Sequence, residues 1–256
     1  MVKGLYTAYT GMINEQNRMD VLTNNLANAA TVGFKKEGAT SQSFDQVLAY
    51  KIKDTTEAGQ ARPLGRMSLG VKIGENYTDY SQGSLRNTGN AYDMAISGTG
   101  FFNVEFTNKA GKTSTKYTRD GSFTLNKDGY LVTKDGDYVL GKAGRIKLDS
   151  LQPTSIDQSG NIWQNGKQIA TLKITDYEDY NYLEHYGENY YQLVEGAKEK
   201  DGEYKIVSGY LEMSNVQVVS EMVEMISVSR AYETNQKIVQ AYDSTLEIAA
   251  NQVGKV

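Results

Sequence analysis

Apolar residues recur three and four apart over the first 27 positions. Leu5, Ala8, Met12, Met19, Leu22 and Leu26, with the polar Glu15 completing the series, step by 3, 4, 3, 4, 3 and 4. This is a heptad seam of about three repeats. Tyr9, Ile13 and Val21 lie beside it and widen the stripe. Gly4 and Gly11 are the only glycines and proline is absent, so the pattern predicts one helix over Lys3–Ala27. The polar run Asn14–Arg18 interrupts its middle, and an isolated helix of this composition is not expected to be stable.

The other end of the chain repeats the design. Val218, Met222, Met225, Ser229, Tyr232, Gln236, Val239, Asp243, Leu246 and Ala250 form a second ladder of threes and fours, flanked by Val219, Ile226, Ile238 and Tyr242. Ser214 and Gln217 stand three apart as a capping box ahead of it. With no glycine or proline between Ser214 and Val253, a helix of roughly 35 residues and about 50 Å is allowed.

Between these ends the period changes to two. Met94 and Ile96 alternate before the Ser97-Gly98-Thr99-Gly100 kink, and Phe102, Val104 and Phe106 continue the alternation after it. Asn126–Gly129 and Lys134–Asp137 are turn sequences, and Asn165-Gly166 joins Ile162-Trp163-Gln164 to Lys167-Gln168-Ile169 as a two-residue hairpin. Turns at this spacing predict a small antiparallel sandwich or barrel. Residues 54–70 are polar and unpatterned, with Pro63 and Gly65, and read as a linker or extended arm.

The expected fold is α+β: long N- and C-terminal helices paired as a coiled coil, plus a mainly antiparallel β central body. The expected divisions are a terminal helical polymerisation domain (1–34 and 210–256), an arm (35–70) and a β-rich domain (71–209). Both stripes are wider than one partner helix requires. The uncovered part would be an exposed apolar patch of the kind that marks an interface.

Composition narrows the chemistry. Cysteine is absent and histidine occurs once, at His185, which removes disulfide scaffolds, cysteine nucleophiles, zinc clusters and His-based metal triads. The net charge of −4 argues against a nucleic-acid binder. No run approaches the ~18 apolar residues of a membrane span, and the first residues lack the apolar core of a cleaved signal peptide. Those signs suit a cytoplasmic chain or one exported without such a signal.

Gly111-Lys112-Thr113 resembles the tail of a phosphate loop, but Phe106 occupies the required glycine position. Gly98-Thr99-Gly100 opens a dinucleotide fingerprint, but Asn103 stands at the third glycine. The Asp-Gly pairs at 120, 128, 135 and 201 lack calcium-loop spacing and read as turns. No cofactor or metal is expected. Residues Asp176–Tyr186 alternate carboxylates with tyrosines, which admits a carbohydrate surface, yet no apolar run isolates one carboxylate for acid catalysis. A solvated loop whose tyrosines pack on the body or a neighbour is the simpler reading. His185 reads as a surface or hydrogen-bonded residue, and Trp163 as core packing.

Asn24-Asn25-Leu26-Ala27-Asn28 followed by Thr31-Val32-Gly33-Phe34-Lys35 resembles the N-terminal signature of bacterial flagellar rod and hook proteins, NNLAN-x-x-T-x-GFK. Near the C-terminus, Leu211-Glu212-Met213-Ser214-Asn215-Val216, Glu221-Met222-Val223, Met225-Ile226 and Arg230–Asn235 resemble the same family's LE-x-SNV, EMV-x-MI and RAYE-x-N elements. Asp93–Phe102 and Tyr117–Phe123 are similar to its central elements. The resemblance implies a structural subunit that polymerises helically with itself into the hollow rod between motor and hook. It also implies contact with adjacent rod and hook proteins, and passage unfolded through the flagellar type III export apparatus without a cleaved signal peptide. Localisation would be the basal body, with no nucleic acid and no membrane insertion. Length and the single β-body favour rod over hook, with the distal rod type first and the proximal type second.

On this reading the assembly interface comprises Leu5, Met12, Met19, Leu22, Asn24, Asn25, Leu26, Asn28, Thr31, Gly33 and Phe34, with Asn215, Val218, Met222, Met225, Ile226, Arg230, Tyr232, Glu233, Asn235, Val239 and Leu246. Asn24, Asn25 and Asn28 are poor helix-interior residues that end a helix or bond to another segment. Gly33 is expected to take a backbone shape closed to other residues, and Phe34 to anchor the turn in a pocket. Arg230 and Glu233 stand three apart and are expected to pair along their helix or bridge to the first one. Methionines at 12, 19, 222 and 225 offer adaptable packing.

Overall fold

A computed structural model of the chain describes residues 2–44, 47–51, 62–68, 70–108, 111–187 and 189–253. Two compact units are present. One gathers Met1–Ala27, Glu37–Asp79 and Gln217–Val256; the other gathers Asn28–Lys36 and Tyr80–Val216.

The helical unit contains α1 (Val2–Ala27) and α2 (Val218–Ile248), the latter followed by a π-helical turn at Ala249–Val253. Both helices lie where the heptad spacing predicts them. The capping box does not form. Helix α2 starts after Gln217, whose side chain makes no cap bond, while the Ser214 hydroxyl accepts from the Val216 N–H in a local turn.

The two helices pack antiparallel. A Cβ on Gly4 would strike the Tyr242 ring, and a Cβ on Gly11 would lie 3.0 Å from Asn235 Nδ2. Arg18 Nη2 donates to Glu224 Oε1 (3.0 Å), and Asn25 Nδ2 donates to Glu221 Oε2 (3.1 Å). Positions 4, 11 and 25 thus meet 242, 235 and 221, in steps that are multiples of seven on both helices.

The inward stripe of α2 is Glu221, Met225, Val228, Tyr232, Asn235, Val239 and Tyr242. It shares Met225, Tyr232 and Val239 with the expected ladder but replaces Val218, Met222, Ser229, Gln236, Asp243 and Leu246, of which all but the half-buried Ser229 are exposed. The physical reason lies in α1. A glycine in a helix interior costs roughly 1 kcal/mol relative to alanine, and here Gly4 and Gly11 open the gaps that receive Tyr242 and Asn235.

Four strands complete this unit: β1 (Glu37–Ser43), β2 (Val47–Lys51), β3 (Arg62–Met67) and β4 (Val71–Thr78). β1 pairs antiparallel with β4, and β2 with β3. The stretch expected as an arm therefore carries three strands, and its partner β4 comes from the segment assigned to the β-rich domain. Residues 52–61 lie outside the described residues. Polar positions of α1 face this hairpin: Ser41 Oγ donates to Asn14 Oδ1 (3.0 Å), and buried Thr10 fills the space beside Gly70.

The β unit is antiparallel at every described strand pair. Its main path runs 183–186, 190–193, 113–118, 101–107, 138–141, 131–132, 124–125, with smaller two- and three-stranded sheets beside it rather than a closed barrel. The Asn165-Gly166 turn forms as expected, with φ of 51° and 72°, between strands that pair Gln164 with Lys167. The core gathers Met94, Ile96, Phe102, Phe123, Leu131, Val139, Ile146, Ile162, Leu172 and Ile206. Trp163, expected there, is only half-buried, because its neighbour Ile162 takes the inward side of the strand.

Phe102 is fully buried and meets Phe123 edge-to-face at 5.2 Å. Phe102→Ala should destabilise the β unit by about 3–5 kcal/mol, read as a lower urea midpoint; a shift below 1 kcal/mol would mean that this pair does not organise the core.

Candidate assembly interface

The signature residues fall into two buried polar clusters and two exposed stripes. In the helical unit the hub is Asn25, which is fully buried. Its Nδ2 donates to the Glu37 carbonyl (2.7 Å) and to Glu221 Oε2, while its Oδ1 accepts from the Glu37 N–H (2.9 Å). One side chain thus holds the last turn of α1, the start of β1 and the first turn of α2. Glu221 is also fully buried, and the partial positive charge at the N-terminus of α2 favours its carboxylate there.

In the β unit the hub is Glu212, also fully buried. Lys35 Nζ donates to its Oε1 (2.6 Å) and Arg119 Nη1 to its Oε2 (3.1 Å). The Gly83 N–H adds a third donor to Oε1 (3.0 Å), and the Gly33 N–H binds the Glu212 carbonyl (2.8 Å). Lys35 and Arg119 are themselves buried and reach the carbonyls of Ser81 and Gly98. Such a cluster holds together because each desolvated charge has an opposite charge and further hydrogen bonds.

Three consecutive residues seat the 28–36 segment by different means. Gly33 takes φ +72°, and a Cβ there would collide with the Arg119–Asp120 backbone, so both its conformation and its space require glycine. Phe34 is buried, its ring 6.4 Å from that of His185 and edge-on. Lys35 supplies the charge. Asn28 shapes the preceding turn, its carbonyl accepting from Thr31 N–H (3.1 Å) and its Oδ1 from Thr31 Oγ1 (3.2 Å). Asn215 Oδ1 accepts from Lys36 N–H (2.7 Å), and its Nδ2 reaches Ser81.

The remaining candidate residues divide by exposure. Leu22 is buried; Leu5, Met12, Met19, Leu26, Met225, Tyr232, Asn235 and Val239 are half-buried; Asn24, Val218, Met222, Ile226, Arg230, Glu233 and Leu246 are exposed. Among the described residues Arg230 and Glu233 do not form an ion pair with each other or with α1; the cross-helix ion pair seen among them is Arg18–Glu224, and both its members keep solvent contact. Charges on the outer side of α2 point away from α1, which explains the difference.

Sequence reasoning missed Lys35, Arg119, Glu212 and Glu221 as organising residues. Their sign in the sequence is membership of the family motifs, Lys35 beside Phe34, Glu212 beside Leu211, Glu221 beside Met222 and Arg119 within Tyr117–Phe123, which marks the positions but not what they bind.

The 176–191 stretch keeps its acidic residues Glu178, Asp179 and Glu184 exposed but packs several of its tyrosines. Tyr177 and Tyr191 are buried with Phe101 and Tyr117, and Tyr180 packs on Tyr80 and donates to Asp176 Oδ1 (2.7 Å). Burial and the Asp176 carboxylate push the Tyr180 hydroxyl up to about 12, so it stays a neutral donor. A cavity of about 590 Å³ is lined by Thr31, Val32, Phe106, Asp120, Thr133 and Tyr190, among others. Among the described residues no group of three or more His, Cys, Asp or Glu is placed to hold a metal ion, and no helix is long and apolar enough to cross a membrane.

Glu212→Gln should cost about 3–5 kcal/mol, because buried Lys35 and Arg119 each lose a charged partner. Glu224→Gln at the exposed pair should cost less than about 1 kcal/mol. Equal urea-midpoint shifts would contradict the buried cluster's role. Burial raises the Asp120 carboxyl above its ordinary value, against the lowering effect of its bonds from Ser122. A raised folded value makes charging unfavourable in the fold. Asp120's contribution is therefore intact below about pH 3.9, its unfolded value, and is lost as pH rises through the folded one. Asp120→Asn should accordingly gain stability relative to the native chain as pH rises from 3 to 7; a difference independent of pH would refute it.

Comparison with known proteins places these clusters in a family. Residues 5–35 match the flagella basal body rod protein family, 95–164 the D1 domain of flagellar hook protein FlgE/F/G, and 207–253 the flagellar basal body rod FlgEFG protein C-terminal family. The flagellar basal-body rod protein FlgG of Bacillus subtilis is 33% identical, covering 98% of this chain and 99% of its own length. The flagellar hook-basal body complex protein FlhO of the same organism is 30% identical over the whole of both chains, and the rod protein FlgF of Caulobacter vibrioides is 31% identical over the whole of both. The matched segments contain Asn25, Lys35, Glu212 and Glu221, so the buried hubs lie within the shared parts, and the chain belongs to the flagellar basal-body rod and hook protein family.

Proposed function

We propose that this chain is a structural subunit of the flagellar rod, of the distal type, working by packing and without a catalytic residue. The observation that carries this reading is the full-length similarity to rod proteins, with signature residues from distant parts of the sequence converging on Asn25 and Glu212. The helix pair acts as a short antiparallel coiled coil, and copies associate through the terminal helices into a helical homopolymer that adjoins other rod and hook proteins. The interface comprises the candidate residues that remain exposed or half-buried, while Leu22, Asn25, Gly33 and Phe34 support it from within. The chain reaches the basal body through the flagellar export apparatus. The distal assignment rests on relatives named FlgG from several bacteria; the proximal type is the second reading, favoured by the full-length similarity to the Caulobacter FlgF protein.

Cryo-electron microscopy of basal bodies carrying this chain with a small fused tag tests both readings. Tag density in the hook-side half of the rod is expected. Density in the motor-side half would establish the proximal type, and density outside the rod would overturn the structural proposal.

A further inference from the structure

The outward stripes of α1 and α2 change character along their lengths, in the same order. On α1 the stripe opposite α2 reads Tyr6, Tyr9, Ile13, then Gln16, Asp20, Thr23, and all six are exposed. On α2 it reads Val219, Val223, Ile226, then Arg230, Glu233, Lys237, and all six are again exposed. Val218 and Met222 broaden the second apolar patch. Tyr9 is 52% exposed, Val223 63% and Val219 76%. Five exposed aliphatic side chains within nine residues are more than the scattered surface residues any protein shows.

Because the helices are antiparallel, each having its apolar patch near its own N-terminus puts the two patches at opposite ends of the pair. The pairings 4 with 242, 11 with 235 and 25 with 221 all sum to 246, so Val223 stands level with position 23 of α1. It lies 14 residues, or about 21 Å, along the axis from Tyr9. Neither patch can therefore cover the other within one molecule.

We propose that the Tyr6/Tyr9/Ile13 patch of one copy docks on the Val219/Val223/Ile226 patch of a second copy, offset along the helix axis. This rests on the rod reading and specifies its contact. Two different patches in contact make a heterologous interface, which continues from copy to copy instead of closing on a pair. The area argues for the same arrangement. Half-exposed side chains of these sizes leave on the order of 500 Å² for the two patches together, about half of the ~1,000 Å² that a stable pair needs. One such contact does not hold a dimer, whereas each copy inside an array makes two.

The chain contains no cysteine, which makes the test direct. A full-length Tyr9→Cys/Val223→Cys variant is expressed in cells in place of the native chain, and isolated basal bodies are treated with a short bis-maleimide. A ladder of dimers, trimers and higher products is expected, with no product from either single variant and dimers only when the two single variants are co-expressed. Dimers from a single variant would mean like-on-like contact and overturn the proposal. Rods that contain the double variant yet give no ladder would overturn it and leave the rod reading standing. Absence of the native chain from isolated rods would instead overturn the rod reading.

Discussion

The carboxylate of Glu212 has no solvent around it, and its burial constrains much of the β unit. A desolvated carboxylate is tolerated only when opposite charge and hydrogen bonds surround it. Here these come from Lys35, Arg119 and the Gly83 N–H, three places far apart in sequence. The segment 28–36 must therefore stay in the β unit, although the chain on both sides of it belongs to the helical unit. Gly33 and Phe34 serve the same placement, one by allowing the backbone to come close to Arg119–Asp120 and the other by filling apolar space.

Asn25 performs the corresponding task in the helical unit. An amide is suited to it because it donates and accepts at once, satisfying the Glu37 N–H and carbonyl and still reaching Glu221. An aliphatic residue there would remove all three of these bonds at once. The helices are then brought close by glycines, and the long side chains of α2 occupy the gaps. Faces not used in this packing stay exposed, and they carry apolar patches near the N-terminus of each helix.

Much of this was legible in the chain itself. Both helices follow from the three-and-four spacing, which only a helix turns into a continuous stripe. The 161–171 hairpin follows from Asn165-Gly166, since few other pairs accept positive φ at both positions. Other features were not legible, for identifiable reasons. A heptad ladder over 31 residues contains several neighbouring stripes of similar apolarity, and the glycines of the partner helix select among them, so Val218 and Met222 turn outward and Val228 inward. The pairing of 37–43 with 71–78 joins a polar strand without apolar alternation, Glu37–Ser43, to one that alternates Val71, Ile73 and Tyr77, so nothing in the first announces its partner. Charged residues such as Lys35, Arg119 and Glu212 look like surface positions until their partners are known.

The sequence by itself determined the helices at both ends, the antiparallel β middle, the lack of cysteine with a single histidine, and the family. Those depend on local period, on turn residues and on side-chain inventory, all properties of short stretches. Only the tertiary structure decided which stripe of α2 meets α1, which charges are buried together and which apolar residues remain outside. Each of these is a relation between distant segments, selected by close approach at Gly4 and Gly11 and by the need of Glu212 and Glu221 for partners once water is gone.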